Sequence, residues 1–300
     1  SSISSPCRNA SGYGRSSFRW FNCGVNDVWL FITFAILMSY IFISVAINMD
    51  TKMNEVDIWI DQQDVNDGES QNFNIAVIGD THTSATDKDY LKLEEVLTEV
   101  ERASPDLIAF VGDYTGSPGA INDFEAHRKK IINILTESKK TPKVFVLGNY
   151  ESYSDPEKWI EEFETNGAIV LENETVLLET EAGKICIRGL GDYYTKRFRG
   201  VDFPESCSNS FRITLTHDPA GAFQSGMEGL FISGHTHCGQ ISFPFIGPLW
   251  VPTEAPEEAH CGLYQDNMRT VFTTSGVGTT IFPIRFGAQS NWDFLSIKFR

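Results

Sequence analysis

The sequence is short of basic residues. It has 24 lysines and arginines against 40 aspartates and glutamates, and its formal net charge at pH 7 is −16. It also lacks the basic stripe that proteins use to follow nucleic acid phosphates. A nucleic acid partner is therefore disfavoured. An anionic substrate would need its positive charge from a bound metal ion.

The sequence also lacks closely spaced cysteine pairs, which argues against a common class of metal site. The six cysteines include no Cys-x-x-Cys pair, so a zinc ribbon is not expected. In an outward-facing domain some of the later cysteines could form disulfides, with buried free thiols as the alternative. These later cysteines are Cys186, Cys207, Cys238 and Cys261.

We predict a transmembrane helix over residues 28–47, where twenty consecutive residues carry no charge. This is about the length that an α-helix needs to cross a hydrocarbon core of roughly 30 Å. A buried core helix and a cleaved signal peptide are the alternatives. Arg8, Arg15 and Arg19 precede the run and mostly acidic residues follow it, which favours a cytoplasmic N-terminus. We therefore expect a single-pass protein of the cell inner membrane with an extracytoplasmic (periplasmic) domain.

This run divides the chain into an N-terminal segment (1–27), the transmembrane helix (28–47), an acidic linker (48–72) and a folded domain (73–300). In the folded domain, short apolar runs alternate with amphipathic segments, and no internal repeat is visible. That alternation is typical of an α/β fold. The predicted helices cover residues 89–103, 124–135 and 155–167, and the main predicted strands cover 73–78, 106–111, 143–147, 212–216 and 230–233.

Five of the apolar runs end at a residue able to hold a metal ion. In open α/β sheets, ligands bind beyond the carboxyl ends of the strands, so these polar tips should converge on one place. Glycines stand before four of the polar residues and suit close approaches of the backbone. The five runs read IAVIGDTH, LIAFVGDY, VFVLGNYE, ITLTHDP and LFISGHTH.

Two of these endings contain pairs of polar residues spaced two positions apart. Asp80 pairs with His82, and His235 pairs with His237. Residues at this spacing point to the same side of an extended backbone, so each pair can face one cluster. A lone histidine is more often structural than a ligand, but four of the six histidines lie at these strand ends. We therefore predict a metal centre.

The ordered motifs D-x-H, G-D, G-N, H and G-H-x-H resemble those of the calcineurin-like metallophosphoesterases. Four further stretches resemble the membrane-associated bacterial branch of that family: THDPAGAF, SGHTHCGQISFPFIGPL, GLY and TTSGVGTTIFPIRFG. The resemblance covers roughly residues 73–299. It implies a four-layer αββα sandwich, preceded here by the transmembrane helix, and a centre with two divalent metal ions.

The resemblance also implies a role for each ligand. Asp80, His82 and His237 would hold one ion, and Asn149, His217 and His235 would hold the other. Asp113 would bridge the two ions, and His235 would also count among the catalytic residues. Oxygen and imidazole ligands suit Mn, Fe, Zn or Ni without choosing among them.

The activity that the resemblance implies is hydrolysis of phosphodiester or pyrophosphate bonds by a metal-activated hydroxide. One catalytic position departs from the family, because Tyr150 stands where the family has a histidine. A neutral phenol is a weaker acid than an imidazolium, so reactions with poor leaving groups should suffer most. We therefore expect a bias towards pyrophosphates or activated diesters. The alternatives are a tolerated variant or a catalytically weakened metal-binding envelope module.

The substrate stays open at this stage. Related membrane enzymes cleave UDP-2,3-diacylglucosamine in lipid A biosynthesis, but that substrate is cytoplasmic and conflicts with an outward-facing domain. Envelope phospholipids, undecaprenyl-linked intermediates and wall phosphodiesters are the outward alternatives. The sequence does not fix the oligomeric state.

Other positions carry weaker expectations. Arg197, Arg199 and Arg285 are candidates for contacts with the substrate phosphate, because a guanidinium can bind it with two hydrogen bonds. Surface or structural ion pairing is the alternative for each of them. The apolar segment 243–250 suggests a membrane contact, a wall for an acyl substrate, or ordinary core packing.

For two histidines and one cysteine we expect ordinary structural roles. We expect His127 to be a surface residue of its helix and His260 to be an ordinary loop residue. Cys238, directly after His237, either fills a tight turn or pairs with Cys261.

Overall fold

The computed structural model describes residues 25–60 and 72–299. The chain separates into two units, residues 1–42 and 43–300. Most of the predicted N-terminal segment, with Arg8, Arg15 and Arg19, lies outside the described residues, as do residues 61–71 of the predicted linker.

The predicted transmembrane segment is helical. Helix α1 runs from Val25 to Met49, and it is the one helix in the described part of the chain that is long and apolar enough to cross a membrane. Its apolar stretch is not buried within the protein, and large side chains such as Trp29, Phe31 and Phe42 are exposed. An exposed apolar surface of this extent is typically covered by a membrane or by another protein.

Two six-stranded sheets form the folded domain. The first contains, in spatial order, β1 (Lys52–Ile60), β14 (Asn291–Phe299), β2 (Phe73–Ile78), β3 (Leu107–Phe110), β4 (Lys143–Phe145) and β5 (Ile169–Val170). The second contains β12 (Gly262–Gln265), β13 (Arg269–Thr273), β9 (Gly229–Ser233), β8 (Phe211–Leu215), β7 (Gly183–Gly189) and β6 (Glu174–Thr180). Two short strands, β10 (Ser242–Phe243) and β11 (Gly247–Pro248), pair separately.

The sheets pack face to face. One continuous apolar core joins residues such as Ile75 and Leu107 of the first sheet to Ile213 and Ile232 of the second. Three helices cover the outer face of the first sheet and bury Leu93, among others, against it. These helices are α2 (Asp87–Ala103), α3 (Phe124–Thr136) and α5 (Pro156–Thr165), and a single short helix, α4 (Asn149–Ser152), follows β4.

The outer face of the second sheet is covered differently. Phe231 and Val271 point away from the central core and pack under short 3₁₀ turns at Pro219–Phe223 and Glu257–Ala259. The predicted four-layer α/β sandwich is confirmed, and its fourth layer consists of these turns.

Part of the predicted linker is a strand. Lys52–Ile60 pairs in parallel with β14 along its whole length, and Ile58 is buried in the core between the sheets. The prediction that residues 48–72 form a connector is therefore wrong for this stretch. Val56, Ile58 and Ile60 face the core and alternate with the exposed Glu55, Asp57 and Trp59, which is the pattern of a strand with one buried face. The acidic composition of the region made this two-residue period hard to recognise in the sequence.

The helix ends follow local sequence signals. Asp155 caps α5, because its side chain accepts a hydrogen bond from the Lys158 backbone N–H, and Pro156 opens the first turn. Gly167 follows the helix with a φ of 74°, a conformation that suits glycine.

Candidate metal centre

The polar residues at the strand ends come together in the structure. They follow β2, β3, β4, β8 and β9, and each has at most 7% of its surface exposed. The seven residues are Asp80, His82, Asp113, Asn149, His217, His235 and His237.

Three of these residues form a first cluster. The ligand atoms of Asp80, His82 and His237 all lie within 4.8 Å of one another. The Nε2 atoms of His82 and His237 are 2.9 Å apart, and His237 Nε2 is 3.6 Å from Asp80 Oδ1. One carboxylate and two imidazoles therefore converge on a small buried volume.

Asp113, His217 and His235 form a second cluster of the same size. His217 Nε2 lies at its centre, 3.2 Å from His235 Nδ1 and 3.1 Å from Asn149 Oδ1. The amide oxygen of Asn149 thus adds a fourth donor to this cluster.

One carboxylate oxygen contacts both clusters. Asp113 Oδ2 is 3.5 Å from His82 Nε2 in the first cluster and 3.4 Å from His217 Nε2 in the second. The other oxygen, Oδ1, accepts a hydrogen bond from the Tyr150 backbone N–H. Asp113 therefore has the position that a residue shared by two ions requires.

The second cluster fits a cation. His217 Nδ1 donates to the Val111 carbonyl at 2.7 Å, and His235 Nε2 donates to the Pro252 carbonyl at 2.7 Å. In the neutral rings, His217 Nε2 and His235 Nδ1 are then both unprotonated, and they face each other at 3.2 Å. Two facing lone pairs repel unless a cation or a proton lies between them. This donor set suits a divalent ion.

Burial shifts the pKa values of the charged residues in opposite directions. It raises the pKa of Asp80 to about 7 and lowers the pKa of His82 to about 4. For Asp113 burial also disfavours the charge, but His217, His82 and the hydrogen bond from the Tyr150 backbone N–H together outweigh it and lower the pKa of Asp113 to about 2. Carboxylate charge enclosed at such a site favours a bound cation.

The backbone of the centre is strained. Five of the seven residues have a positive φ, between 41° and 70°, which is uncommon for residues other than glycine. Strain of this kind concentrates at functional sites, where the surrounding fold must hold it in place. The five are Asp80, His82, Asp113, His235 and His237.

Two glycines leave room for the carboxylates. A Cβ on Gly148 would collide with Asp113 Oδ1, and a Cβ on Gly234 would lie 2.5 Å from Asp80 Oδ2. The glycines before the polar residues are therefore needed for close approach, as the sequence predicts.

Glu151 is an important residue that sequence reasoning missed. Its buried carboxylate accepts hydrogen bonds from the backbone N–H groups of Asp113, Tyr114 and Gly148 at 2.8 to 3.0 Å. Burial and the neighbouring Asp113 raise its pKa to about 7. Glu151 thus fastens the loop after β3 to the loop after β4. The signal in the sequence that could have identified Glu151 was the presence of an acidic residue two positions after Asn149.

Tyr150 lies at the edge of the first cluster. Its ring packs edge-on against His82, with 4.6 Å between the ring centroids. Its hydroxyl lies 2.7 Å from Thr280 Oγ1, with which it forms a hydrogen bond. The phenol is therefore next to the centre and is oriented by the loop that contains Thr280.

The three arginines differ in their surroundings. Arg285 is completely buried, and its guanidinium donates to the carbonyls of Ser275, Gly276 and Gly278. The prediction that Arg285 contacts substrate is wrong, because these carbonyls occupy its donors. Its Nη2 also lies 3.1 Å from His237 Nδ1, so it supports the centre from behind.

Arg197 is engaged in ion pairs. Its guanidinium contacts Glu172 at 2.6 Å and Glu157 at 3.0 Å, which matches the structural alternative. Arg199 is exposed, and its backbone N–H donates to Asn173. A substrate contact by Arg199 stays a prediction.

The later cysteines form two disulfides. Cys186 pairs with Cys207, and Cys238 pairs with Cys261. The second bridge ties the residue after His237 to a distant loop. Of the alternatives left open for the later cysteines, the structure therefore has the disulfides, including the pairing of Cys238 with Cys261.

Comparison with known proteins identifies relatives of the domain. The family model described as calcineurin-like phosphoesterase matches residues 73–239. The uncharacterized metallophosphoesterase YkuE of Bacillus subtilis is 28% identical over 238 residues, 75% of this chain and 79% of the relative. The phosphodiesterase YaeI of Escherichia coli is 28% identical over 230 residues, 75% of this chain and 82% of the relative.

Among solved structures, the chain is similar to a 5′-nucleotidase precursor from Thermus thermophilus. It is 11% identical, the match covers 75% of this chain, and the TM-score is 0.45. The chain spans about half the length of that protein, since 54% of it is covered.

Proposed function

The chain belongs to the calcineurin-like phosphoesterase family and is a hydrolase of phosphoester bonds, and from this premise we propose that it is a membrane-anchored phosphodiesterase with two divalent ions. One observation carries the proposal. Asp113 Oδ2 lies within 3.5 Å of a histidine nitrogen in each of the two candidate clusters. This geometry supports two ions that share a carboxylate and act on one phosphoryl group.

Each group of residues has a separate part in this proposal. Asp80, His82 and His237 would hold one ion, and the cluster around His217 would hold the other, with Asp113 between them. When bound, such ions lower the pKa of a water molecule and offset the charge on the phosphoryl oxygens. The hydrogen bonds from His217 and His235 to backbone carbonyls orient the two rings before any ion binds.

In the proposed reaction, one bond to phosphorus forms and another breaks. The oxygen of a water molecule forms a bond to phosphorus, the ester P–O bond breaks, and the leaving oxygen takes up a proton. Tyr150 can donate a hydrogen bond near the first cluster, but a phenol carries no positive charge and is a poor acid. We therefore propose a preference for leaving groups that need little protonation.

The two disulfides are relevant to the cell compartment in which the folded domain lies. Disulfides persist in oxidising compartments and are rare in the cytoplasm, so the two bridges support an extracytoplasmic domain. Helix α1 supports a single membrane anchor. Both observations favour a phosphodiester of the cell envelope over UDP-2,3-diacylglucosamine, which is cytoplasmic.

A second candidate function is a catalytically weakened metal-binding module of the envelope. Tyr150, at the position of a catalytic histidine, is the observation that favours it. The two candidates share the metal centre and differ in turnover alone.

The test uses the full chain, purified in detergent and loaded with Mn. We expect hydrolysis of bis-p-nitrophenyl phosphate, loss of that activity on chelation, and a loss of at least about a hundredfold in Asp113→Asn. Asp57→Asn on β1 is a matched control away from the centre. Two bound ions without turnover of this diester or of a nucleotide-sugar pyrophosphate would favour the module.

A further inference from the structure

Two uncharged segments near the metal centre expose large apolar side chains. Residues 241–252 and 277–284 contain no acidic or basic residue. Phe245 is fully exposed, and Ile246 and Ile281 are about three-quarters exposed, so the core-packing alternative for residues 243–250 is wrong. We call the exposed set the apolar rim: Phe243, Phe245, Ile246, Leu249, Trp250, Ile281, Phe282 and Ile284.

The two segments form one surface. The Ser242 backbone N–H donates to the Phe286 carbonyl at 2.7 Å, and the rings of Phe243 and Phe286 pack with centroids 5.2 Å apart. The Gln240 side chain donates to the Phe282 carbonyl at 2.9 Å and so holds the second segment against the first. An apolar surface of this size on a folded domain marks a binding site for a protein, a ligand or a membrane.

The apolar rim borders the metal centre. Gln240 follows His237 by three residues, and Thr280 forms the hydrogen bond to the Tyr150 hydroxyl. A groove of about 930 Å³ continues from this edge, with His82 and Pro283 in its lining. Its lining also includes Met49, Asp50 and Thr51, so the groove reaches the end of α1.

The segment that carries the rim also holds the end of α1. The Ser290 backbone N–H donates to the Asn48 carbonyl at 2.8 Å, and the Gln289 side chain donates to the Ile47 carbonyl at 3.2 Å. Only a few residues separate Ile284 from these contacts. Residues 47 and 48, at the end of the candidate span, are therefore held by the segment that follows the rim, which is the argument for lipid as the occupant of the rim.

We propose that the apolar rim inserts into the surface of the bilayer that holds α1, and that the metal centre takes the phosphodiester of a membrane lipid. The net charge of −16 would repel anionic lipid head groups, so the attachment must be apolar. Trp250 and the phenylalanines are the side chains that settle at membrane interfaces. The substrate part rests on the proposed function, whereas the insertion does not.

Insertion is tested by quenching of tryptophan fluorescence in the full chain, reconstituted in nanodiscs with or without brominated phosphatidylcholine. If Trp250 is in the bilayer, Trp250→Phe reduces the quenching by brominated lipid. Trp59→Phe is the matched control, because Trp59 is also exposed but lies near the far end of β1. Equal quenching in the wild type and Trp250→Phe overturns the insertion. So does a detergent-solubilised dimer that Trp250→Ser converts to monomer, because a second copy then covers the rim.

The substrate class is tested by a ratio of two activities. One is hydrolysis of phosphatidylethanolamine, a zwitterionic phosphodiester, in nanodiscs, followed by phosphorus NMR, and the other is hydrolysis of soluble bis-p-nitrophenyl phosphate. We expect Phe245→Ser and Phe282→Ser to lower the lipid-to-soluble ratio at least about fivefold, and Met268→Ser, exposed on another strand turn, to leave it unchanged.

The two proposals fail in different ways. Hydrolysis of the soluble diester without hydrolysis of the lipid overturns the lipid substrate and leaves the phosphodiesterase intact. Absence of both activities overturns the proposed function, and the quenching result still decides the insertion.

Discussion

The carboxylate of Glu151 accepts a hydrogen bond of 2.8 Å from the backbone N–H of Asp113, the residue between the two clusters. Glu151 comes from the loop after β4 and Asp113 from the loop after β3. The Glu151 side chain therefore helps to set the spacing of the two loops through backbone N–H groups, without contacting the ligand atoms of either cluster. This makes Glu151 a positioning residue and a sharp probe of the centre.

We expect Glu151→Gln to weaken Mn binding by about ten- to a hundredfold, the usual effect of losing a group that orients metal ligands. Glutamine keeps the shape but turns an N–H₂ group towards backbone donors. Isothermal titration with Mn measures the change, and Glu164→Gln on the exposed side of α5 is the control. Unchanged affinity in Glu151→Gln would contradict the positioning role.

Tyr150→His should restore the acid that the centre lacks. We expect the rate with an alkyl phosphodiester to rise by about a hundredfold, because general acid catalysis helps poor leaving groups most. The rate with bis-p-nitrophenyl phosphate should change much less. Tyr150→Phe, which keeps the ring against His82 and removes the hydrogen bond to Thr280, is the comparison. An equal gain on both substrates would exclude leaving-group protonation as the cause.

The bridge between Cys238 and Cys261 should stabilise the domain. Its loop of 23 residues predicts a loss of about 3 kcal/mol when both cysteines become serine. Cys238 has a φ of 52°, so glycine at this position should recover about 1 kcal/mol in a Cys238→Gly/Cys261→Ser variant. Urea unfolding of the full chain in detergent compares the two double variants. Equal stability would show that the left-handed backbone at position 238 costs nothing.

Asp293 should make stability depend on pH. Burial raises the pKa of Asp293 to about 6, although Asn54 and Asn291 both donate hydrogen bonds to its Oδ1. The folded state thus holds the proton more tightly than the unfolded state, whose pKa is near 3.8. The free energy of unfolding therefore falls as the pH rises from about 4 to about 6, by up to about 3 kcal/mol.

Asp293→Asn should remove this part of the pH dependence and make the protein more stable than wild type at pH 7. Urea unfolding at several pH values across the window measures the difference between the two proteins. Asp57→Asn, on the exposed side of β1, is the control. Parallel curves for wild type and Asp293→Asn would contradict the raised pKa.

The sequence predicted the strand ends well because the chemistry there is local. A glycine followed by a ligand residue at the end of an apolar run describes a loop such as that of Asp80 without any knowledge of partners. His127 shows the opposite case. We expected it on the surface, but α2 covers that side of α3, and the Tyr90 hydroxyl lies 2.6 Å from His127 Nδ1. Only the packing of two helices reveals this contact.

Arg285 was misassigned for a similar reason. Its donors are taken by carbonyls of residues 275–278, and no pattern in the sequence marks a carbonyl as an acceptor for a buried guanidinium. The roles of Glu151 and Arg285 both depend on backbone groups brought together by tertiary structure. The acidic residue two positions after Asn149 was a signal for Glu151, but no side-chain motif marks the backbone groups that either residue contacts.

The place of β14 in the first sheet has a consequence for the order of folding. It lies between β1, which directly follows α1, and β2, so residues 52–60 can join the sheet only after residues 291–299 have been synthesised. Until then the strand nearest the candidate span has no neighbour to pair with in this sheet. A ribosome that stalls before residue 291 would therefore leave a nascent chain whose first strand is exposed, where proteases and chaperones can bind it.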